Sequence, residues 1–189
     1  MAKLLQEITN KEVYTSLNYQ TYVNAYKNKT LGIAIAKHFQ VPLELVLELA
    51  SDPDHAGKHT VSSFIEAMVA LEIEKDSMFE MSIHRGKKET DLKDGWNRMW
   101  DVKAPPSIPF VDFNEEMQKA VSSIIKKLEE FPKGDLGILL CVSFLKKADY
   151  MVLQQQLKNT LSTSEKFLIR AIHIDGVLNS CATQQQQTN

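Results

Sequence analysis

Side chains suited to chemistry gather first in one polar stretch, Ser51 to Thr60, with the string SDPDHAGKHT. His55 and His59 stand four residues apart, with Asp52 and Asp54 beside them, all metal-ligand types. On a helix, that spacing would bring both imidazoles to one face. Pro53 and Gly57 oppose a helix there, and no Glu follows the first His as zinc-protease chemistry requires. His55 and His59 are therefore weak ligand candidates, and no metal or other cofactor is expected. The GKHT string also lacks the upstream glycine and apolar strand of a phosphate-binding loop. The second cluster is basic, His84-Arg85-Gly86-Lys87-Lys88. Arg85, Lys87 and Lys88 could meet the phosphates of a nucleic acid, or they form a solvated loop.

Signs of covalent catalysis are missing. There is no G-x-S-x-G, and Cys141 sits in apolar company that would raise its pKa. The Glu129-Glu130 pair ends a helical pattern beside Lys126-Lys127, the spacing of a solvated face. Paired helical carboxylates with a His three residues on, the di-iron pattern, do not occur. These absences favour a non-catalytic protein, with a helical hydrolase or metalloprotein assembled from scattered residues as a third reading.

Composition narrows the class further. Of 189 residues, 43% are hydrophobic and 24% charged, the balance of an ordinary globular protein. Seven Gly and six Pro are few turn formers, which favours helices over a many-stranded sheet. The net charge of −2 gives no overall field to recruit nucleic acid or acidic membrane. Two cysteines make no disulfide framework. The first residues, MAKLLQEITNKEVY, lack the apolar core of a signal peptide. The run Leu136–Leu145 covers only about half of a membrane span. A cytoplasmic location off the membrane is expected.

The elements that would carry any site are read as helices. Tyr19, Tyr22 and Tyr26 fall at i, i+3 and i+7, a core stripe whose hydroxyls reach its rim. The stretch Thr30 to Ala50, TLGIAIAKHFQVPLELVLELA, breaks at Gln40-Val41-Pro42 into two short helices. Ala36 allows close approach, Val41 enters the core at the turn, and Val46 and Leu49 anchor the second helix. Pro42 fits the first turn of that second helix. Thr60 is a plausible N-cap for a further helix through Phe64, Met68 and Leu71. Together these segments resemble the phage-repressor (lambda-repressor-like) type of helix-turn-helix domain over residues 30–74. The resemblance implies a compact helical unit and DNA contact through its second helix. At that helix the sequence departs from the family. Gln40 stands at the usual turn glycine, and the outward positions carry Leu43, Glu44, Leu45 and Glu48. Nine carboxylates stand against two lysines between Gln40 and Glu80, a balance that repels phosphates.

Beyond Asp76 the pattern loosens. Phe79, Met81 and Ile83 alternate as in a short strand. Asp94 can cap a turn before Trp96 and Trp100, which at i, i+4 would pack inward together. Three prolines at 105, 106 and 109 mark residues 102–113 as an extended linker. Stripes at Met117–Phe131, Leu136–Leu161 and Phe167–Leu178 then read as a small helix bundle. The expected architecture is all-α, in two helical subdomains. Residues 1–101 form a helical half with the helix-turn-helix-like core, 114–181 the bundle, and 182–189 a polar tail. The expected function is an interaction subunit or adaptor of a larger assembly, binding a protein partner or a second copy through Leu43, Leu45 and Leu47. The alternative is a nucleic-acid-associated protein, either a divergent helix-turn-helix regulator or a small subunit of a nucleoprotein complex. Its phosphate contacts would then come from Arg85, Lys87 and Lys88.

Overall fold

The computed structural model describes residues 17–52, 56–75, 84–85, 90–106, 118–119, 121–123, 125–126, 136–161, 168–174 and 176–178. Among these, four helices come first: α1 (Tyr19–Lys27), α2 (Leu31–Phe39), α3 (Leu43–Leu49) and α4 (Val61–Glu74). A five-stranded sheet follows, made of β1 (His84–Arg85), β2 (Leu92–Lys93), β3 (Met99–Lys103), β4 (Leu136–Cys141) and β5 (Leu168–Ile172). Between β3 and β4 lie helical residues at 118–119, 121–123 and 125–126, and between β4 and β5 lies α5 (Lys147–Leu161).

The all-α expectation is overturned: the fold is mixed α/β. Its sheet runs in sequence order, β1 to β5. β1, β2 and β3 form an antiparallel meander, whereas β3, β4 and β5 are mutually parallel. The expected C-terminal helix bundle therefore contains two strands, β4 and β5, around one long helix. The physical reason is burial. No alternation of apolar and polar residues develops in β4, because Gly137 to Cys141 are all buried, on both faces of the sheet. A strand buried on both sides is an unbroken apolar run, indistinguishable by periodicity from a buried helix.

The second, third and fourth helices form where the spacing predicts them, whereas α1 begins only at Tyr19, with Leu17 outside it. Asn18 caps α1, its side chain accepting from the Gln20 N–H. Thr60 and Ser63 cap α4 reciprocally. Between α2 and α3 the chain turns at Gln40, which takes a left-handed conformation with φ 56°. Pro42 occupies the N-cap of α3, just before the first turn where the sequence places it. Val46 is fully buried, and Ala36 and Leu49 nearly so.

One apolar cluster joins these helices to the sheet. It takes in Tyr22, Ile35, Phe64 and Met68 from the helices, and Trp100, Leu139 and Cys141 from the strands. Tyr19 and Tyr22 both pack edge-on against Phe144, just beyond β4. The Leu17 N–H bonds the Ser143 carbonyl, and the Ser143 hydroxyl accepts the Ile174 N–H. Burial drives the Tyr22 hydroxyl and the Cys141 thiol well above their ordinary pKa values. Ile138, Leu140, Tyr150, Leu153 and Leu157 are buried but lie outside this cluster, and belong to the sheet's other face and to α5.

Candidate functional site at the β2–β3 hairpin

The strands meet at a hairpin held by one carboxylate. Asp94 Oδ1 accepts the N–H groups of Trp96 and Arg98, and its Oδ2 accepts Trp100 Nε1–H at 3.0 Å. Both of its oxygens are engaged within the turn, so Asp94 is structural. Its bond to Trp100 also sets the phase of β3. The Trp100 ring lies across Gly137, its register partner on β4, where any side chain would collide with it. Trp100 and Val102 thereby face the helical core. Asp101 and Lys103, one step out of phase, fall on the opposite face with Ile138 and Leu140.

That second face carries the unusual chemistry. Asp101 is 4% exposed, in the middle of a strand, and its Oδ2 lies 2.7 Å from Lys103 Nζ. Asp91 approaches from the residue before β2. The ladder ends at the Leu92–Trp100 pair, and Asp91 lies just beyond it. The Asp91 N–H bonds the Trp100 carbonyl at 3.1 Å, and its Oδ2 accepts the Val102 N–H at 2.7 Å. Asp91 therefore bonds to both residues that flank Asp101. Buried charge is costly without a partner. Lys103 is such a partner for Asp101.

The location fits a ligand site. β3 is the strand at which the sheet changes from antiparallel to parallel, with Asp101 at its middle and Lys103 at its carboxyl end. Loops beyond the carboxyl ends of parallel strands are where α/β sheets bind ligands. Among the described residues no group of three or more His, Cys, Asp or Glu side chains is placed to hold a metal ion. Among the described residues a cation here would meet the carboxylates of Asp91 and Asp101, hard oxygen donors of the kind that suit Mg2+.

The residues singled out from the sequence lie elsewhere. Leu43, Leu45 and Leu47 are half-buried on α3 and pack against the main cluster. Leu43 and Leu47 also line a cleft of about 680 Å³ between the first helices. His59 borders the same cleft. Its Nε2 lies 3.0 Å from the Leu47 carbonyl, and its own carbonyl accepts the Tyr26 hydroxyl. His59 therefore ties elements together, and its expected partner His55 lies outside the described residues, as does Asp54. Arg85 is in β1, at the sheet's edge beside Leu92, while Lys87 and Lys88 lie outside the described residues. Trp96 and Trp100 do not pack as a pair, since Trp96 is 62% exposed in the hairpin turn and Trp100 is buried. Among the described residues no helix is long and apolar enough to cross a membrane.

No family model, curated protein or solved structure matches this chain. What Asp91, Asp101 and Lys103 can do follows from their own chemistry. The sequence holds a trace of them, an Asp at 91 and a D-x-K string at 101–103. Spacing of two residues gathers side chains on one face only in a strand, and that stretch abuts the prolines that mark a linker.

Proposed function

We propose that this protein is a divalent-cation-dependent hydrolase of phosphodiesters, with nucleic acid as its substrate. The observation that supports the reading most is the buried Asp101–Lys103 pair, with Asp91 bonded to the main chain on either side of Asp101. Two carboxylates with a neighbouring ammonium suit a substrate that is itself anionic. Asp91 and Asp101 would hold the cation. When bound, such an ion neutralises the charge that develops on a phosphoryl group and favours attack by water. Lys103 brings a positive charge to the same place, available to a phosphate oxygen or to an incoming water once a substrate draws it from Asp101. The Val102 N–H holds Asp91 in position, and the Trp100–Asp94 bond holds the whole strand in phase, so the groups are fixed before any ligand arrives.

Nucleic acid is the phosphodiester best suited to the rest of the molecule. Lys93 pairs with Met99 and so shares the face of Asp101 and Lys103. A second cation on that face would meet a phosphate backbone without reading sequence. The test is cleavage of labelled single- and double-stranded DNA and RNA with Mg2+ or Mn2+. Activity should vanish with a chelator and with Asp101→Asn. Cleavage that persists equally in that variant, or no cleavage of any of these substrates, would sink the reading.

A second reading, an interaction subunit that binds through Leu43, Leu45 and Leu47, draws on the part-exposed Leu43 and Leu47 at the cleft. It predicts a mass by light scattering that rises with concentration or with an added partner, and that falls back when Leu43 and Leu47 become Ser.

A further inference from the structure

The cleft in the helical half is built from four elements fastened to one another. α1 supplies Tyr26 and Lys27, α2 Leu31 to Ile33, α3 Leu43 and Leu47, and the loop before α4 Lys58 and His59. Two long-range hydrogen bonds fix its walls, from the Tyr26 hydroxyl to the His59 carbonyl at 2.8 Å and between His59 Nε2 and the Leu47 carbonyl at 3.0 Å. Gly32 lets α2 close on α4, since even a methyl there would stand 3.0 Å from the Phe64 ring. The cleft is therefore preformed, and its volume of about 680 Å³ lies within the range of small-molecule sites.

Its lining is divided in two. The floor is aliphatic, with Leu31, Ile33, Leu43 and Leu47, and Ile33 is 57% exposed. The rim carries Lys27, Lys29 and Lys58, and among the described residues no carboxylate lines the cleft. That imbalance runs against the chain, which is net negative overall and strongly acidic between residues 40 and 80. Lysine stems can extend the apolar wall while their ammonium heads gather at the mouth. Three cations around an aliphatic floor complement one kind of occupant.

We propose that this cleft binds a small amphipathic anion, a molecule with a phosphate, sulfate or carboxylate head and an aliphatic body. The head meets Lys27, Lys29 and Lys58, and the body lies on Ile33, Leu43 and Leu47. This site is distinct from the Asp91–Asp101–Lys103 cluster and does not rest on the hydrolase reading.

Octyl phosphate is the probe, titrated by calorimetry into the full chain, with amide shifts of Gly32 and Gly57 locating it in the cleft. Saturable binding of one molecule per chain is expected, with both glycines shifted. Inorganic phosphate and the neutral octyl glucoside should each bind about ten-fold more weakly or worse, because each satisfies half of the lining. Replacing Lys27, Lys29 and Lys58 together by Gln should weaken octyl phosphate by about ten-fold or more. Ile33→Asp, at an exposed position that leaves the core alone, should do the same. Equal binding of octyl glucoside, or affinity unchanged in both variants, would overturn the proposal. So would displacement of the probe by a short oligonucleotide or an acidic amphipathic peptide at lower concentration than octyl phosphate itself, since that assigns the cleft to a macromolecule.

Discussion

The carboxylate of Asp91 accepts the main-chain N–H of Val102 at 2.7 Å, taking the place of a strand carbonyl where the β2–β3 ladder ends. This bond makes Asp91 both a structural acceptor and a charge beside Asp101, and substitution can separate the two roles. Asp91→Ala leaves the Val102 N–H without its acceptor and should cost about 1–3 kcal/mol in chemical denaturation. Asp91→Asn keeps an acceptor oxygen and removes the charge. It should hold most of that stability while losing cation binding, measured by calorimetry with Mn2+. Equal cation binding by Asp91→Asn and the unaltered protein would remove Asp91 from the site.

Asp101 and Lys103 should fail in different ways. Asp101→Asn is expected to abolish both cation binding and cleavage. Lys103→Met should keep the cation and still lower cleavage by about 100-fold or more, the scale of losing one charge-stabilising donor. The comparison uses single-turnover rates with saturating Mn2+. Loss of cation affinity in Lys103→Met would make Lys103 a prop for Asp101 and nothing more.

These residues show why the site is hard to read in the sequence and the helices are easy. Thr60 with Ser63, and the helical spacing of Phe64, Met68 and Leu71, announce α4 through local rules alone. Asp91 and Asp101 are separated in the sequence, and Asp91 reaches the residues that flank Asp101 only because Asp94 closes the hairpin between them. Nothing local marks β4 as a strand, because its neighbours β3 and β5 cover both of its edges and its two faces are buried as well. Misreading β4 as a helix removes the sheet, and without the sheet Asp101-Val102-Lys103 is only a charged string before three prolines.

Gln40 offers a test of the α2–α3 turn. Its φ of 56° is left-handed, a conformation that costs an L-residue about 1–2 kcal/mol and glycine nothing in sterics. Its N–H still bonds the Ala36 and Lys37 carbonyls, so the turn itself is closed. Gln40→Gly should therefore raise stability, by about 1 kcal/mol once the greater freedom of the unfolded chain is counted. A lower Tm in that variant would mean that the Gln40 side chain holds the turn.

Stability should also fall in alkali, for a stated set of groups. Burial pushes the Tyr150 hydroxyl up to about 12 from an ordinary 10.0, and raises Tyr22 and the Cys141 thiol in the same direction. Each group is neutral when protonated, and its folded pKa exceeds its unfolded one. The unfolded chain therefore loses these protons first, and stability is lost as pH rises, beginning near 9.0 for the thiol and 10.0 for the phenols. Tyr150→Phe should flatten part of the fall in Tm above pH 10.0. An unaltered slope in that variant would mean that Tyr150 ionises freely in the folded protein.

Gly137 and Trp100 should prove to be coupled. The indole covers the position where a Gly137 side chain would stand, and Asp94 holds it there through Nε1 at 3.0 Å. In Gly137→Ala the ring has to shift against that bond or the strands have to part, an overpacking that typically costs about 1–3 kcal/mol. Because Trp100 sets which face Asp101 and Lys103 occupy, the same variant should lower cation affinity. Trp100→Leu is destabilising in itself, through lost burial and an Asp94 oxygen without its donor, but it frees the space above position 137. The double variant should accordingly be more stable than the sum of the two losses predicts, by about 1 kcal/mol or more in a double-mutant cycle. Strict additivity would mean that the sheet absorbs the added methyl elsewhere, and that the phase of β3 is set by its ladder with β4 and not by Trp100.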